Sequence, residues 1–250
     1  KTVFSLTPAY QLILKDTNHF RVYEPGMRLA GARTSYFHNA VGGYHGAKPR
    51  RYEEVFEMFE TLQREEILNI LNVKYILFEG EEGGLKPLIN PQTLGNVWFV
   101  EKLIKTNSPD STYQQLATLD FDLAAVSESN GLQNLPDAFS KDSLATIQLI
   151  HHEPEYLIYQ SNSDQDGFAV FSEIYYPYGW KATIDGVEHP HYNINYILRG
   201  MAIPKGKHLI EFTFDPAVVR VGGKIQLISF FLLMGLIILG LRLQLKNKSS

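Results

Sequence analysis

Apolar residues recur at helical spacing in the first part of the chain and alternate with polar ones in the second. From Arg50, the positions Tyr52, Val55, Phe56, Phe59 and Leu62 fall on one stripe, with Glu53, Glu54, Glu57 and Glu60 between them. That pattern predicts a surface helix with one buried face. A short helix over 8–15, a strand over 19–24, a helical run over 64–71 and a buried strand over 73–78 fit the same reading, with a loop rich in glycine and aromatics before Arg50. Further on, a strand over 97–104, a helix over 111–119 and a short strand over 123–126 are expected. Loop composition dominates 127–143. Beyond it, alternating runs at 144–151, 156–161, 167–175, 180–184, 196–203 and 208–214 are separated by turn signals. Asp185-Gly186 predicts a two-residue hairpin, and Lys205-Gly206 a second. The fold class is therefore α+β. We expect a mixed α/β subdomain over 1–126, a linker over 127–143 and an antiparallel β-sandwich over 144–220.

The pattern ends differently. Residues 225–241 read IQLISFFLLMGLIILGL, in which twelve of seventeen are Leu, Ile or Phe. At roughly −0.3 to −0.6 kcal/mol each, these outweigh Gln226, Ser229 and two glycines for membrane insertion. Leu243 and Leu245 extend the stretch if Arg242 snorkels, giving a single span over 224–245 and a tail over 246–250. Arg242, Lys246 and Lys248 follow without an acid, which predicts a cytoplasmic C-terminus and an extracytoplasmic 1–220. The chain begins in mid-pattern at Lys1, so we expect it to be the C-terminal piece of a longer membrane protein.

Charge sharpens that expectation. Removing the four basic residues after position 220 leaves nineteen Lys and Arg against twenty-seven Asp and Glu, a net charge of −8. Such a surface repels nucleic-acid phosphates, so no nucleic-acid partner is expected. With no cysteine, the fold uses neither disulfides nor thiolate metal sites.

Five blocks in order resemble the YfhO family: TSYFHNAVGGYHGAKPRRYEE at 34–54, LNVKYILF at 71–78, LGNVWFVEKL at 94–103, FSEIYYPYGWKATIDGVEH at 171–189 and RGMAIPKGKHLIEFTFDP at 199–216, followed by one membrane span. The resemblance implies a large polytopic membrane protein of the GT-C glycosyltransferase type. Such a protein would use a polyprenyl-phosphate-linked sugar outside the membrane to glycosylate cell-envelope polymers. It also implies that the catalytic acid sits in early loops between N-terminal membrane helices. Those helices, the bilayer and a glycan or polyprenyl-phosphate sugar are the implied partners. No catalytic residue carries over to this sequence, and this chain alone is not expected to turn over substrate. A non-catalytic envelope binding or scaffold domain is the alternative, and a free-standing hydrolase fits worse, since no acidic pair is set by a motif.

Chemistry read from the residues agrees that no complete active site is visible. GGYHGAK at 42–48 departs from a P-loop at Ala47 and Pro49. Asp164 and Asp166 start like a calcium loop, but Tyr175 stands where a bidentate Glu is needed. His189 and His191 flank Pro190 with no third ligand in reach, and His151 and His152 should face opposite ways on a strand. No metal or cofactor is expected. The candidate binding residues are Tyr36, His38, Tyr44, His45, Lys48, Arg50 and Arg51, where aromatic faces for sugars meet donors for phosphates. The same block also reads as a loop packing its aromatics under the following helix. A second aromatic candidate is Tyr176, Tyr178 and Trp180, with Tyr175, which reads either as a glycan platform or as sandwich core at a bend.

Overall fold

The structure, a computed structural model, describes residues 4–44, 46–80, 83–129, 131–140 and 142–248. In chain order it contains α1 (Pro8–Ile13), β1 (Arg21–Tyr23), α2 (Ala32–Phe37), α3 (Arg50–Leu62), α4 (Glu66–Ile70), β2 (Val73–Glu79) and β3 (Leu85–Ile89). There follow β4 (Val97–Val100), β5 (Lys102–Thr106), α5 (Pro109–Leu116), β6 (Ala124–Glu128), β7 (Thr146–Glu153), β8 (Tyr156–Ser163) and β9 (Gly167–Ile174). The chain closes with β10 (Trp180–Ile184), β11 (Val187–His189), β12 (Tyr192–Ile194), β13 (Leu198–Ile203), β14 (Gly206–Phe214) and α6 (Ala217–Lys248).

Local chemistry explains several boundaries. Thr7 caps α1 by accepting from the Tyr10 amide, and Ser108 caps α5 by accepting from the Ser111 amide at 3.1 Å, each with proline in the first turn. Most of the stripe read from Arg50 is the buried face of α3: Val55 and Phe56 enter the core and Tyr52 and Phe59 pack against it, joined by Met58, whereas Leu62 at the end of the stripe is exposed. Asp185 and Gly186 both take positive φ, 50° and 79°, and join β10 to β11 with Ile184 opposite Val187. That is the expected hairpin.

The sandwich pairs a five-stranded sheet, β11-β10-β14-β8-β7, with a four-stranded one, β12-β13-β9-β4. Between them lie Leu157, Tyr159, Ala169, Phe171, Met201, Ile210 and Phe212. On the other face of β9, Phe168 and Val170 join a larger core with Val55, Phe56, Ile67, Leu71 and Val126. A strand covered on both faces must be apolar at successive positions, which is why GFAVF does not alternate. In 127–143, Leu132 is fully buried, and Leu135 and Phe139 pack on the same core. A smaller sheet, β1-β2-β3, carries α1 over a third cluster built on Tyr10, Ile13 and Leu77.

Four local expectations need correction. The strand expected over 97–104 breaks at Glu101: β4 pairs with β9, whereas β5 pairs in parallel with β6, with α5 crossing between. Lys205-Gly206 does not close a hairpin, because β13 and β14 lie in different sheets and the turn carries the chain across the sandwich. The strand expected from Tyr196 starts at Leu198, since Asn195 and Tyr196 form a turn with φ of 50° and 70°. Part of the glycine and aromatic loop is helical, as α2.

Helix α6 stands apart. It has 32 residues, its segment Ala217–Arg242 is long and apolar enough to cross a membrane, and none of that segment's most apolar stretch is buried in the protein. Twenty-six helical residues span roughly 39 Å, more than the ~30 Å hydrocarbon core of a bilayer. The helix starts earlier than the sequence pattern suggests, at Ala217, directly after Pro216.

Candidate binding cleft

A cleft of about 880 Å³ opens where the start of α3 faces the ends of β6 and β9 and the turns around β12. One wall is Lys48, Pro49, Arg50 and Arg51, and the other is Tyr175, Tyr176, Pro177, His191, Tyr192 and Tyr196, with Ser127 and Glu128 between. Most of the lining is aromatic or aliphatic, with a few converging polar groups, which is the general character of a small-molecule site.

The fold holds this arrangement through specific contacts. Gly42 lets the loop before α3 press against Leu29, since a Cβ there would lie 2.6 Å from the Leu29 Cα, and Tyr52 donates to the Val41 carbonyl at 2.7 Å. These contacts fix where Lys48 to Arg51 emerge. Opposite them, Tyr196 sits at φ 70°, costly for a non-glycine residue. Asn195 clamps that turn to β6: its amide donates to the Val126 carbonyl at 2.7 Å, and its Oδ1 accepts from the Val126 amide at 3.0 Å. The strained turn presents the Tyr196 ring to the cleft.

Charges at the site are partly compensated. Arg51 lies 4.6 Å over the Tyr196 ring and 2.7 Å from Glu128. Tyr196 donates to Glu54 at 2.6 Å, and Arg50 Nε donates to the same carboxylate at 2.7 Å. The Tyr196 bond holds the Glu54 carboxyl below its usual range, and burial, with Glu54 beside it, pushes the Tyr196 phenol up to about 12. Arg50 is 90% exposed at its side chain, and Lys48 has no acidic partner among the described residues. Burial, reinforced by the Arg199 charge, lowers His191 to about 4, so its ring is neutral and can both donate and accept. Asn193, another lining residue, has a buried Oδ1 with no partner among the described residues.

Of the residues singled out in the sequence, Lys48, Arg50, Arg51, Tyr175 and Tyr176 meet in this cleft. Tyr36 and His38 do not. They lie beside α1, where Tyr36 packs on Phe4 and Phe37, and His38 sits 5.3 Å from the Tyr10 ring. Tyr44 is 86% exposed and outside the cleft, and His45 lies outside the described residues. Tyr178 is exposed next to Tyr176, with ring centroids 5.7 Å apart. Trp180 is taken up in packing, with the buried Arg199 guanidinium 3.8 Å from its ring and Phe214 at 5.2 Å. His191, Tyr192, Tyr196 and Glu128 complete the cleft. His191 stands out in the sequence only beside His189, as a metal-ligand pair, and nothing in the spacing announces the other three, because the chain brings them together only through the sandwich.

The aromatic turn also touches the base of α6. Tyr176 lies 6.4 Å from Phe214, and the Asp215 amide donates to the Gly179 carbonyl at 2.8 Å, just before the helix starts at Ala217. No curated protein and no solved structure matches the chain. Residues 111–226, from α5 through the sandwich into α6, match the family model described as bacterial membrane protein YfhO. Through that match, and with a helix long and apolar enough to cross a bilayer, the chain is similar over this stretch to the YfhO family of bacterial membrane proteins.

Proposed function

We propose that this part of a YfhO-family protein stands outside the cytoplasmic membrane on α6 and receives a polyprenyl-phosphate-linked sugar in the cleft, on behalf of a glycosyltransferase core elsewhere in the same protein. The observation that carries this reading is the meeting of Lys48, Arg50 and Arg51 with Tyr175, Tyr176, Tyr192 and Tyr196 in one cleft of a domain whose net charge is −8. Phosphate is bound by charge-assisted hydrogen bonds from cations, and sugar rings rest on aromatic faces. A phosphate-linked sugar needs both.

The position of the aromatic turn supports a lipid-borne ligand. Tyr176, Tyr178, Trp180 and Phe214 surround the chain just before α6, where interfacial aromatics settle at headgroup depth. Tyr176 is both a cleft wall and a member of this group, so a ligand anchored by its lipid tail reaches the cleft from the membrane surface. The basic residues after the span support an inward C-terminus, which leaves the cleft outside.

In cells, replacing Lys48 and Arg50 together by Ala in the full-length protein should lower the glycosylation of one envelope polymer to near the level of a deletion strain. Arg50 is exposed and Lys48 half-buried with no acidic partner among the described residues, so the protein should accumulate and melt close to wild type. Unchanged glycosylation in the variant would remove the cleft from the reaction. An unchanged glycan profile in the deletion strain would favour a scaffold.

A further inference from the structure

Away from the cleft, His19 in the turn before β1, His152 on β7 and Glu173 on β9 converge, with one ligand atom from each lying within 4.8 Å of the others. The two imidazoles stack at 3.7 Å between centroids. Two nitrogens and one oxygen donor from three separate elements, on the partly exposed edge of the sandwich, make a compact ligand set.

Hydrogen bonds fix one ring of this set. Asn72 Nδ2 donates to the His19 carbonyl at 3.0 Å, which can only accept, and to Asn96 Oδ1 at 2.9 Å. Asn72 Oδ1 in turn accepts from the Thr93 hydroxyl at 3.0 Å. Asn96 therefore faces His19 with an oxygen, and His19 Nδ1, 2.8 Å away, must be the donor. In the neutral ring the Nε2 lone pair is then free. A ring held by Nδ1–H on a side-chain carbonyl with Nε2 available is how metal-ligating histidines are oriented.

Glu173 is loosely held. Its partner Arg21 stands 3.4 Å from one carboxylate oxygen, long for a charge-assisted bond, while the other arm of the same guanidinium donates to the Leu71 and Ser172 carbonyls and the Ser172 hydroxyl. That leaves the second carboxylate oxygen for another cation. Arg21 then orients the acid as an outer partner.

We propose that His19, His152 and Glu173 bind one divalent transition metal, with zinc the best fit to two imidazoles and one carboxylate. Ligand bonds of about 2.0–2.2 Å need donor atoms roughly 3.4 Å apart, which side-chain shifts of about an ångström supply. His152 is exposed, so the fourth position faces water. The metal ties the segment before β1 to both sheets of the sandwich, since β7 and β9 belong to different sheets.

Zinc alone, titrated into the metal-stripped full chain in detergent and followed by calorimetry, tests the site. One equivalent should bind and raise the melting temperature, and Asn96→Ala should weaken binding by about 10- to 100-fold through loss of the outer hydrogen bond. His152→Ala removes an exposed ring and should leave the metal-free melting temperature unchanged while abolishing the zinc-induced rise. Absence of stoichiometric binding would overturn the proposal. So would binding that persists undiminished in both His19→Ala and His152→Ala.

Discussion

Two histidines tie stability to pH in opposite directions. His208 Nδ1 lies 2.7 Å from the Asp185 carboxylate and its Nε2 lies 3.0 Å from the Lys205 carbonyl, so both ring nitrogens face acceptors. Only the imidazolium can donate to both, and the Asp185 bond raises its pKa above the usual 6.5. Its contribution is complete below about pH 6 and fades as pH rises through the raised folded value. For a pair this exposed the gain is at most about 1 kcal/mol. His191 is the reverse case: burial holds it near 4 when folded, while the unfolded chain protonates near 6.5. Stability at this residue is present above pH 6.5 and is lost as pH falls towards 4. Thermal melts from pH 4 to 9 should show His208→Gln losing stability on the acid side and gaining nothing above pH 8. His191→Phe should flatten the acid limb between pH 6.5 and 4. An unchanged acid limb in His191→Phe would remove that ring as the cause. Neither effect is legible in sequence, because Asp185 and Arg199 reach these rings only through the folded sheets, even though the Lys205 carbonyl is local to His208.

At the scale of elements, the sequence was readable wherever one face is buried and the other wet. The α3 stripe, the strand β2 and the Asp185-Gly186 hairpin follow directly from period and turn chemistry. It was opaque where an apolar run changes partners without changing pattern. VWFVEKLI reads as one strand, yet Glu101 separates a sandwich edge from a parallel pair with β6. Lys205-Gly206 reads as a hairpin, but turn residues suit any reversal and do not say which sheet receives the next strand. His151 and His152 share this difficulty: a register shift between Leu149 and His151 breaks the alternation, and both rings are exposed, with His152 stacked on His19. The doubly covered strand β9 carries the clearest prediction at this scale. Phe171 is fully buried against Tyr159 and Phe212, so Phe171→Ala should cost about 3–5 kcal/mol. Glu188→Ala on the edge strand β11 should stay within about 0.5 kcal/mol. Denaturant midpoints compare the two, and equal losses would contradict the double burial of β9.

For the whole molecule, one core joins the helices of the first half to the outer face of the sandwich, and the cleft lies along this junction. Half of the cleft was legible, since Lys48, Arg50, Arg51 and the Tyr175-Tyr176 pair stand out by composition. The other half was not, because Tyr196 enters through a left-handed turn clamped to β6, and His191 through the return of β12. Tyr36 and His38 share the block of the basic residues but turn away with α2, so nearness in sequence misplaced them. The central claim is that the cleft takes a phosphate-linked sugar from the membrane surface. It is tested most directly by equilibrium binding of a polyprenyl-phosphate-linked sugar to the chain in zwitterionic lipid nanodiscs. We predict saturable binding at one site, weaker at high salt, and at least tenfold weaker for the Lys48→Ala, Arg50→Ala double variant, as expected for losing charge-assisted bonds of about 1.5–3 kcal/mol each. Binding that does not saturate, or that is the same in the double variant, would contradict it.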